Sequence, residues 1–304
     1  MAYDNIMVFP GRFKEHILAD QLHILNVAFL VPEMRKEFGG CAGNIAYNLR
    51  MLGGNPLIMA TVGTDFGAYS ELLSRYSLDE EFIAEIPDTF TAQAYITTDL
   101  DDNQITAFHP GAMDYSHQNA VPVDAGVTIG MISPDGRQGM LEHAAQFAAA
   151  GIPFIFDPGQ GLPMFDGEEL KCFIEQASWV TVNDYEGQLL QERTGWSAEQ
   201  IGDRVEAFIV TRGGSGSIIY TDSTQIDIPA VEAQRIVDPT GCGDAYRAGL
   251  LFGITRQMSW EDTGRLASLI GSIKIADRGT QNHAFSPQSL APKFKSAFGY
   301  EISI

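Results

Sequence analysis

Cysteine is scarce in this sequence, and the cysteines present form no recognisable set. Only three occur among 304 residues, Cys41, Cys172 and Cys242, and no two of them stand in a CxxC pair. An odd number of scattered cysteines argues against a disulfide scaffold and against a zinc site. A reduced protein is the better fit, and we expect a cytoplasmic location.

Long hydrophobic runs are also lacking. No stretch of about 18 apolar residues occurs, so we expect no membrane span and no membrane partner. The first thirteen residues, MAYDNIMVFPGRF, carry an early acid and no long apolar segment, which is unlike a secretion signal. Hydrophobic residues nevertheless make up 45% of the chain, which is typical of a globular protein with a sizeable core.

Basic residues are few. Lysine and arginine total 19 against 39 acidic residues, which gives a formal net charge of −20. So acidic a protein is a poor partner for nucleic acid or for an anionic membrane. A small anionic ligand is still compatible with this charge, because local backbone N–H groups, one arginine and Mg²⁺ can hold a phosphate.

The two commonest phosphate-binding fingerprints are absent. Neither GxGxxG nor GxxxxGK[ST] occurs anywhere in the chain. The sequence therefore gives no support to a dinucleotide-dependent oxidoreductase or to a P-loop protein.

Strands and helices alternate from about residue 120 onward. Short apolar segments predict buried strands, and the segments between them predict helices, two of which end at a glycine. Such alternation favours an α/β fold, with a parallel sheet covered by helices on both faces. The predicted strands are 127–133, 152–157, 179–183 and 207–211, and the predicted helices are 136–151, 184–195, 242–256 and 260–276.

The first third of the chain has a different pattern. Residues 92–98 and 104–109 flank Asp101-Asp102-Asn103, which predicts an antiparallel hairpin. Residues 5–38 are mixed and loop-like, whereas 43–54 is helical and 56–63 returns to the sheet. We interpret the segments at about 5–38 and 88–112 as a small β-rich lid on one domain that spans residues 1–304.

The segment DPTGCGDA, residues 238–245, carries the strongest chemical signal. Gly241, Cys242 and Gly243 would present consecutive N–H groups at the start of a helix, which suits a phosphoryl group. Asp244 would then stand beside that phosphoryl group as a base for an attacking hydroxyl. The alternative is that Asp244 is an ordinary acid in the first turn of a helix.

Two further segments follow predicted strands. TRGGSG, residues 211–216, would let a nucleotide lie close to the backbone, although a glycine-rich hairpin turn explains it equally well. In NDYE, Asn183 and Glu186 lie three residues apart and offer oxygens to Mg²⁺. The alternative for this pair is a plain helix cap.

GGCAGN, residues 39–44, precedes a predicted helix. Its glycines permit close approach of the backbone, and Asn44 offers both a donor and an acceptor to a polyol. The alternative is a tight loop with Asn44 in the first helical turn.

Taken together and in this order, the four segments resemble the ribokinase-like carbohydrate kinases, the PfkB family. The resemblance covers nearly the whole chain, and DPTGCGDA matches the D-x-x-G-x-G-D signature of that family. AYDNIMVFPGRF, GGCAGNIAYNL, FHPGAM and RGTQNH look most like bacterial adenosine or nucleoside kinases within it. The resemblance implies a three-layer αβα sandwich with a mainly parallel central sheet and a β-rich lid.

The resemblance also implies roles for residues. Asp244 matches the catalytic base, and Gly241, Cys242 and Gly243 match the anion hole. The other matches are the ATP loop (Thr211, Gly213, Gly216), the Mg²⁺ and phosphate motif acting largely through water (Asn183, Glu186), the ribose site (Asp4, Asn44, with Gly40 and Gly43 for backbone approach), and a monovalent-cation site for K⁺ (Asp238, Thr240).

One departure from the family is clear. Its members begin with a strand that leads to the substrate-binding aspartate, but here that aspartate is residue 4. The sequence therefore predicts that the first strand is lacking, which would leave ladder groups unpaired. The resemblance gives no role to Arg212 or Arg247.

The function implied is transfer of a phosphoryl group from Mg·ATP to the 5′-hydroxyl of a nucleoside, with adenosine as the first candidate and purine salvage as the setting. FHPGAM, residues 108–113, is the clue for a base pocket. The alternatives are a ribose or fructose kinase of the same fold, and a nucleoside-binding protein without turnover. Monomer and homodimer are both compatible with the sequence.

Overall fold

The computed structural model describes residues 1–17, 27–101, 103–222 and 224–304. Residues 18–26 of the expected lid and Asp102 of the expected hairpin turn lie outside the described residues. None of the helices in the described ranges is long and apolar enough to cross a membrane.

A six-stranded sheet forms the centre of the molecule, and the four of its strands that come first in the chain are parallel to one another. The last two strands run antiparallel at one edge. Across the sheet, from this antiparallel edge to the opposite edge, the strands are β12 (Gln225–Ile228), β11 (Ser217–Tyr220), β10 (Ala207–Thr211), β9 (Trp179–Asn183), β8 (Phe154–Phe156) and β7 (Gly130–Ile132).

Helices cover both faces of this sheet, as predicted, because its strands are apolar on both sides. Phe154, Ile155 and Phe156 are each 0% exposed, and burying a side chain of this size stabilises a fold by about 1.5–3 kcal/mol. One face carries α4 (Arg137–Ala150), α5 (Gly167–Gln176), α6 (Asp184–Thr194) and α7 (Ala198–Gly202); the other carries α2 (Cys41–Met51), α8 (Cys242–Thr255) and α9 (Trp260–Lys274), on which α10 (Pro287–Phe298) packs.

Helix ends follow local signals in the sequence. Gly151 and Gly195 follow α4 and α6 with φ values of 65° and 72°, a left-handed conformation that glycine adopts without strain. Both helices therefore stop where the sequence predicts.

A second sheet, of four strands, is separate from the central sheet. The predicted hairpin forms two of its strands, β5 (Ala92–Thr98) and β6 (Gln104–His109). The expectation that residues 5–38 are loop-like is wrong at both ends of this segment, which are the strands β1 (Ala2–Val8) and β2 (Glu33–Gly39). A short helix, α1 (Phe13–His16), follows β1. The strand order is β2-β1-β5-β6, and β1 gains its place by pairing with both β2 and β5.

The central sheet is interrupted at its β7 edge. Strands β3 (Ala60–Val62) and β4 (Ile83–Glu85) form a separate parallel pair next to α3 (Gly67–Arg75), and among the described strands none joins β3 to β7. A cavity lies between the two edges and is lined by residues 57–61 on one side and 127–133 on the other. Two parallel strand edges therefore face each other across a gap.

Candidate active site

A cleft of roughly 1630 Å³ opens at the carboxyl ends of the parallel strands and extends into the gap between β3 and β7. Ligands of open α/β sheets bind at this edge, where strands lead into helices. The predicted site residues that line it are Asp4, Gly40, Asn44, Asn183, Glu186, Thr211, Gly213, Thr240, Gly241, Gly243 and Asp244. Gly43, Gly216, Asp238 and Cys242 are not among the lining residues.

Asp244 lies in the first turn of α8, after a loop that glycine makes feasible. Gly241 has a φ of 79°, and a side chain there would meet Thr280 at 2.9 Å. Burial raises the pKa of Asp244 to about 6, although the Asn44 amide and the Arg247 charge favour its ionised form. A carboxylate of this kind is available as a proton acceptor near neutral pH.

The amides before Asp244 are not all free to bind an anion. Cys242 donates its N–H to the Pro239 carbonyl at 3.1 Å, so this amide is used inside the loop. For Gly241 and Gly243, the described residues include no carbonyl acceptor, as expected at the start of a helix. Two of the three predicted anion-hole residues therefore line the cleft and have an amide that no main-chain carbonyl uses.

The side chain of Asn44 is used in hydrogen bonds to Asp244 and Gln281 rather than left open to a ligand. Its amide nitrogen donates to Asp244 Oδ2 at 2.7 Å, and its oxygen accepts from Gln281 at 2.8 Å. Gln281 also donates to the Tyr69 hydroxyl at 2.6 Å. Because Gln281 fixes which way the Asn44 amide points, it holds the N–H side toward the carboxylate. Gln281 lies in RGTQNH, residues 278–283, and no pattern in the sequence indicated a role for it.

Asp4 projects from β1 into the cleft. Its pKa is raised to about 6, chiefly by burial and also by the nearby charges of Asp244, Glu37 and Asp238. Gly39 leaves room for this carboxylate, since a Cβ there would lie 2.5 Å from Asp4 Oδ2. The other two glycines of this segment serve backbone packing: a Cβ on Gly40 or Gly43 would meet Ala2 N at 2.6 Å or the Tyr69 hydroxyl at 2.1 Å.

Asn183 and Glu186 form the helix cap that the sequence left as an alternative. Asn183 Oδ1 accepts from the Glu186 amide, and Glu186 Oε2 accepts from the Asn183 amide, both at 2.8 Å. Burial raises the pKa of Glu186 above its ordinary value. Both residues still line the cleft, and no group of three His, Cys, Asp or Glu side chains in the described ranges is placed to hold a metal directly. Because Asn183 Oδ1 and Glu186 Oε2 already accept from backbone amides, Mg²⁺ beside this pair would be held largely through water.

The glycine-rich segment after β10 is a hairpin turn to β11, and it also borders the cleft. Thr211 and Gly213 line the cleft, with Gly213 at a φ of 52°. Gly216 serves the fold, because a Cβ there would lie 2.0 Å from the Ile228 carbonyl. Arg212 turns away and pairs with Asp227 at 3.1 Å.

Asp238 anchors the loop that precedes α8. Its carboxylate accepts from the amides of Thr240 at 3.0 Å and Gly279 at 2.9 Å. Burial works against ionisation here, but the hydrogen bonds from Gly279 and Thr240 and the charge of Lys274 together outweigh it and hold the pKa of Asp238 below its ordinary value. The Asp238 carbonyl accepts from the Lys274 ammonium at 2.7 Å. A lysine thus already supplies positive charge at the predicted K⁺ site, which does not fit a resident K⁺ ion.

An ion pair that the sequence did not predict lies under the site. Arg247 donates two hydrogen bonds of 2.6 Å to Asp157 and a third of 3.2 Å to the Gly243 carbonyl. Asp157 directly follows β8, and Arg247 is three residues after Asp244. The position of Asp157 at a strand end was the available signal, but nothing in the sequence paired it with Arg247.

Comparisons with known proteins identify the family of this chain. The model of the pfkB family carbohydrate kinases matches residues 2–287. A nucleoside kinase of Methanocaldococcus jannaschii is 32% identical over 261 residues, which is 85% of each chain.

Two solved structures of a Burkholderia thailandensis nucleoside kinase are also similar. The complex with inosine is 51% identical with a TM-score of 0.90, covering 99% of this chain and 96% of the other. The complex with ADP and inosine is 52% identical with a TM-score of 0.88, covering 99% and 95%. The fold is thus ribokinase-like, and the chain belongs to the pfkB family of carbohydrate kinases, phosphotransferases with an alcohol group as acceptor.

Proposed function

We propose that this protein transfers the γ-phosphoryl group of ATP to the 5′-hydroxyl of a nucleoside, with adenosine as the first candidate. The observation that carries the proposal is the meeting of Asp244 with the free amides of Gly241 and Gly243 on one cleft wall. The inosine and ADP bound to the Burkholderia enzyme support a nucleoside and an adenine nucleotide as the two ligands.

Asp244 accepts the proton from the attacking hydroxyl. Asn44 holds the carboxylate in place through its 2.7 Å hydrogen bond, and Asp4, which lines the same cleft, accepts hydrogen bonds from ribose hydroxyls. The amides of Gly241 and Gly243 take the negative charge of the phosphoryl group in transfer. Mg²⁺, when bound beside Asn183 and Glu186, neutralises charge on the ATP phosphates.

The four-stranded sheet acts as a lid in this proposal. Ala94, Ile96 and Phe108 face the cleft from β5 and β6, which gives a nucleoside base an apolar surface. Closure of the sheet over the base excludes water, which would otherwise compete with the 5′-hydroxyl as acceptor. On the other side of Asp244, Thr211 and Gly213 offer a place for the adenine nucleotide.

The test compares wild type, Asp244→Asn and the control Asp203→Asn, an exposed residue at the end of α7. Each is incubated with ATP, Mg²⁺ and a panel of adenosine, inosine, ribose and fructose, and products are identified by mass spectrometry. We expect nucleoside 5′-phosphates from wild type and from the control, and a loss of at least about 100-fold in Asp244→Asn.

Three outcomes would contradict the proposal. If Asp244→Asn retains turnover within about tenfold of wild type, Asp244 is not the base. Preference for ribose or fructose over nucleosides makes the protein a sugar kinase, and nucleoside binding in calorimetry without turnover makes it a binding protein.

A further inference from the structure

Lys274, the last residue of α9, lies beneath the loop that leads into α8. It is 0% exposed, which is rare for a lysine. Its ammonium donates to the main-chain carbonyls of Asp238 at 2.7 Å and Asp277 at 3.2 Å. A buried cation of this kind needs such partners, because an unpaired charge is costly away from water.

The two acceptors of this ammonium are of the kind that also bind a monovalent cation. Main-chain carbonyl oxygens are the groups with which proteins replace the hydration shell of K⁺. The ammonium carries the same charge, and it already occupies the Asp238 carbonyl in the segment where the family resemblance implies K⁺. A K⁺ ion at the same oxygen would stand next to a fixed positive charge and be repelled by it.

Lys274 also acts where the site is built. The segment it holds is fastened at several points: the amides of Val237 and Asp238 donate to the Ile275 carbonyl at 2.9 and 3.1 Å, and the Asp238 carboxylate accepts from Thr240 and Gly279. This segment runs directly into Gly241. Its position therefore sets where the anion-binding amides point.

We propose that the Lys274 ammonium is a built-in substitute for a monovalent-cation cofactor, which holds loop 238–241 so that the protein works without K⁺. Lys274 is a positioning residue that touches neither ligand. The proposal deepens the proposed function, on which its activity readout rests.

The first experiment uses the wild-type protein. Phosphoryl transfer is measured with tetramethylammonium, Na⁺ or K⁺ as the only monovalent cation, and thermal unfolding is followed in the same buffers. We expect rates within about twofold of one another and no K⁺-specific rise in the unfolding midpoint. Activation by K⁺ beyond about tenfold, or stabilisation by K⁺ but not by Na⁺, overturns the proposal.

The second experiment removes the ammonium. In Lys274→Ala, without K⁺, we expect KM for ATP to be little changed and kcat to fall by at least about tenfold, with recovery in K⁺ or NH₄⁺. The same cations should raise the unfolding midpoint of this variant alone. The control is Lys295→Ala, an exposed lysine whose loss should change neither property.

The outcomes separate this inference from the proposed function. If Lys274→Ala matches wild type without K⁺, or is impaired with no response to K⁺ or NH₄⁺ in rate or unfolding, the inference is wrong. If the variant does not fold, the wild-type comparison still decides. A wild type that phosphorylates nothing removes the proposed function, while cation-specific stabilisation of Lys274→Ala alone still supports the inference.

Discussion

At the scale of single residues, the site concentrates carboxylates that burial makes reluctant to ionise. Asp4 and Asp244 both have pKa values raised to about 6, chiefly by burial, and for Asp4 the charges of Asp244, Glu37 and Asp238 add to this. Such a cluster costs stability, because each ionised carboxylate repels the others in a partly dry cleft. The proposed function accounts for it, since ribose hydroxyls and a reacting proton would need acceptors there.

This predicts a gain of stability when Asp4 is made neutral. The pKa of Asp4 is higher in the folded protein than its usual 3.8, so its stabilising contribution is complete below that value and is lost as the pH rises through about 6. We expect Asp4→Asn to be more stable than wild type by about 1–3 kcal/mol at pH 8, and equal to it below about pH 4. Urea unfolding at several pH values measures this difference.

Asp203→Asn is the matched control for Asp4→Asn, and its stability should follow wild type at every pH. A destabilised Asp4→Asn at pH 8 would mean that the carboxylate has a partner that the burial argument overlooks. The same variant should bind nucleoside more weakly, because an amide offers one fewer acceptor to the ribose.

At the scale of elements, the start of α8 is held from two directions. The Asp238 carboxylate and Lys274 fix the loop before it, and the Asp157–Arg247 pair joins its first turns to the end of β8. Arg247 and Asp157 have side chains only 8% and 2% exposed. A buried pair of this geometry is strongly destabilised when one partner alone is removed, because the other is left as an unpaired charge.

We therefore predict that Asp157→Asn and Arg247→Met each lower the free energy of unfolding by about 3–5 kcal/mol. The double variant should recover much of that loss, since neither charge then remains. Urea unfolding of all three proteins gives the coupling between the two positions. As a control, the more exposed pair of Arg137 and Glu169 should show a coupling below about 1 kcal/mol. Additive losses at 157 and 247 would refute the interpretation.

At the scale of the whole molecule, the gap between β3 and β7 is the unusual feature. In β7, Gly130 donates to the Pro153 carbonyl, and Ile132 accepts from Asp157. Successive residues of a strand face opposite edges, so the amide of Met131 points into the gap. The Ile155 residue of β8, in contrast, has strands on both sides.

Hydrogen exchange should report this difference. We expect the Met131 amide to exchange at least about tenfold faster than that of Ile155, because only the latter is enclosed by paired strands. Mass spectrometry of fragments or NMR of the labelled protein measures both in one sample. Equal protection at the two positions would show that the β7 edge is covered in solution.

Local signals made much of the fold predictable. The alternation of short apolar runs and helices, the stop glycines Gly151 and Gly195, and the hairpin at residues 92–109 all depend on neighbours in sequence. The prediction of a loop-like segment at residues 5–38 was wrong because β1 has no strong strand pattern of its own and forms by pairing with β2 and β5.

The site divides in the same way. A sequence can place Asp244 at a helix start and Asn183 three residues from Glu186, since each depends on one turn of chain. It could not show that Asn44 bonds Asp244 across 200 residues, or that Arg247 meets Asp157 across 90. Contacts at such separations depend on how strands and helices pack, and no periodicity encodes them.

The sequence by itself determined the α/β class, the edge of the sheet where the proposed chemistry takes place, and the residue types gathered there, because these follow from local hydrogen bonding and hydrophobic periodicity. Only the tertiary structure decided which amides stay free, which carboxylates lose their water, and that a lysine fills the place expected for K⁺. Burial and long-range contact set these properties, and both exist only once the chain has folded.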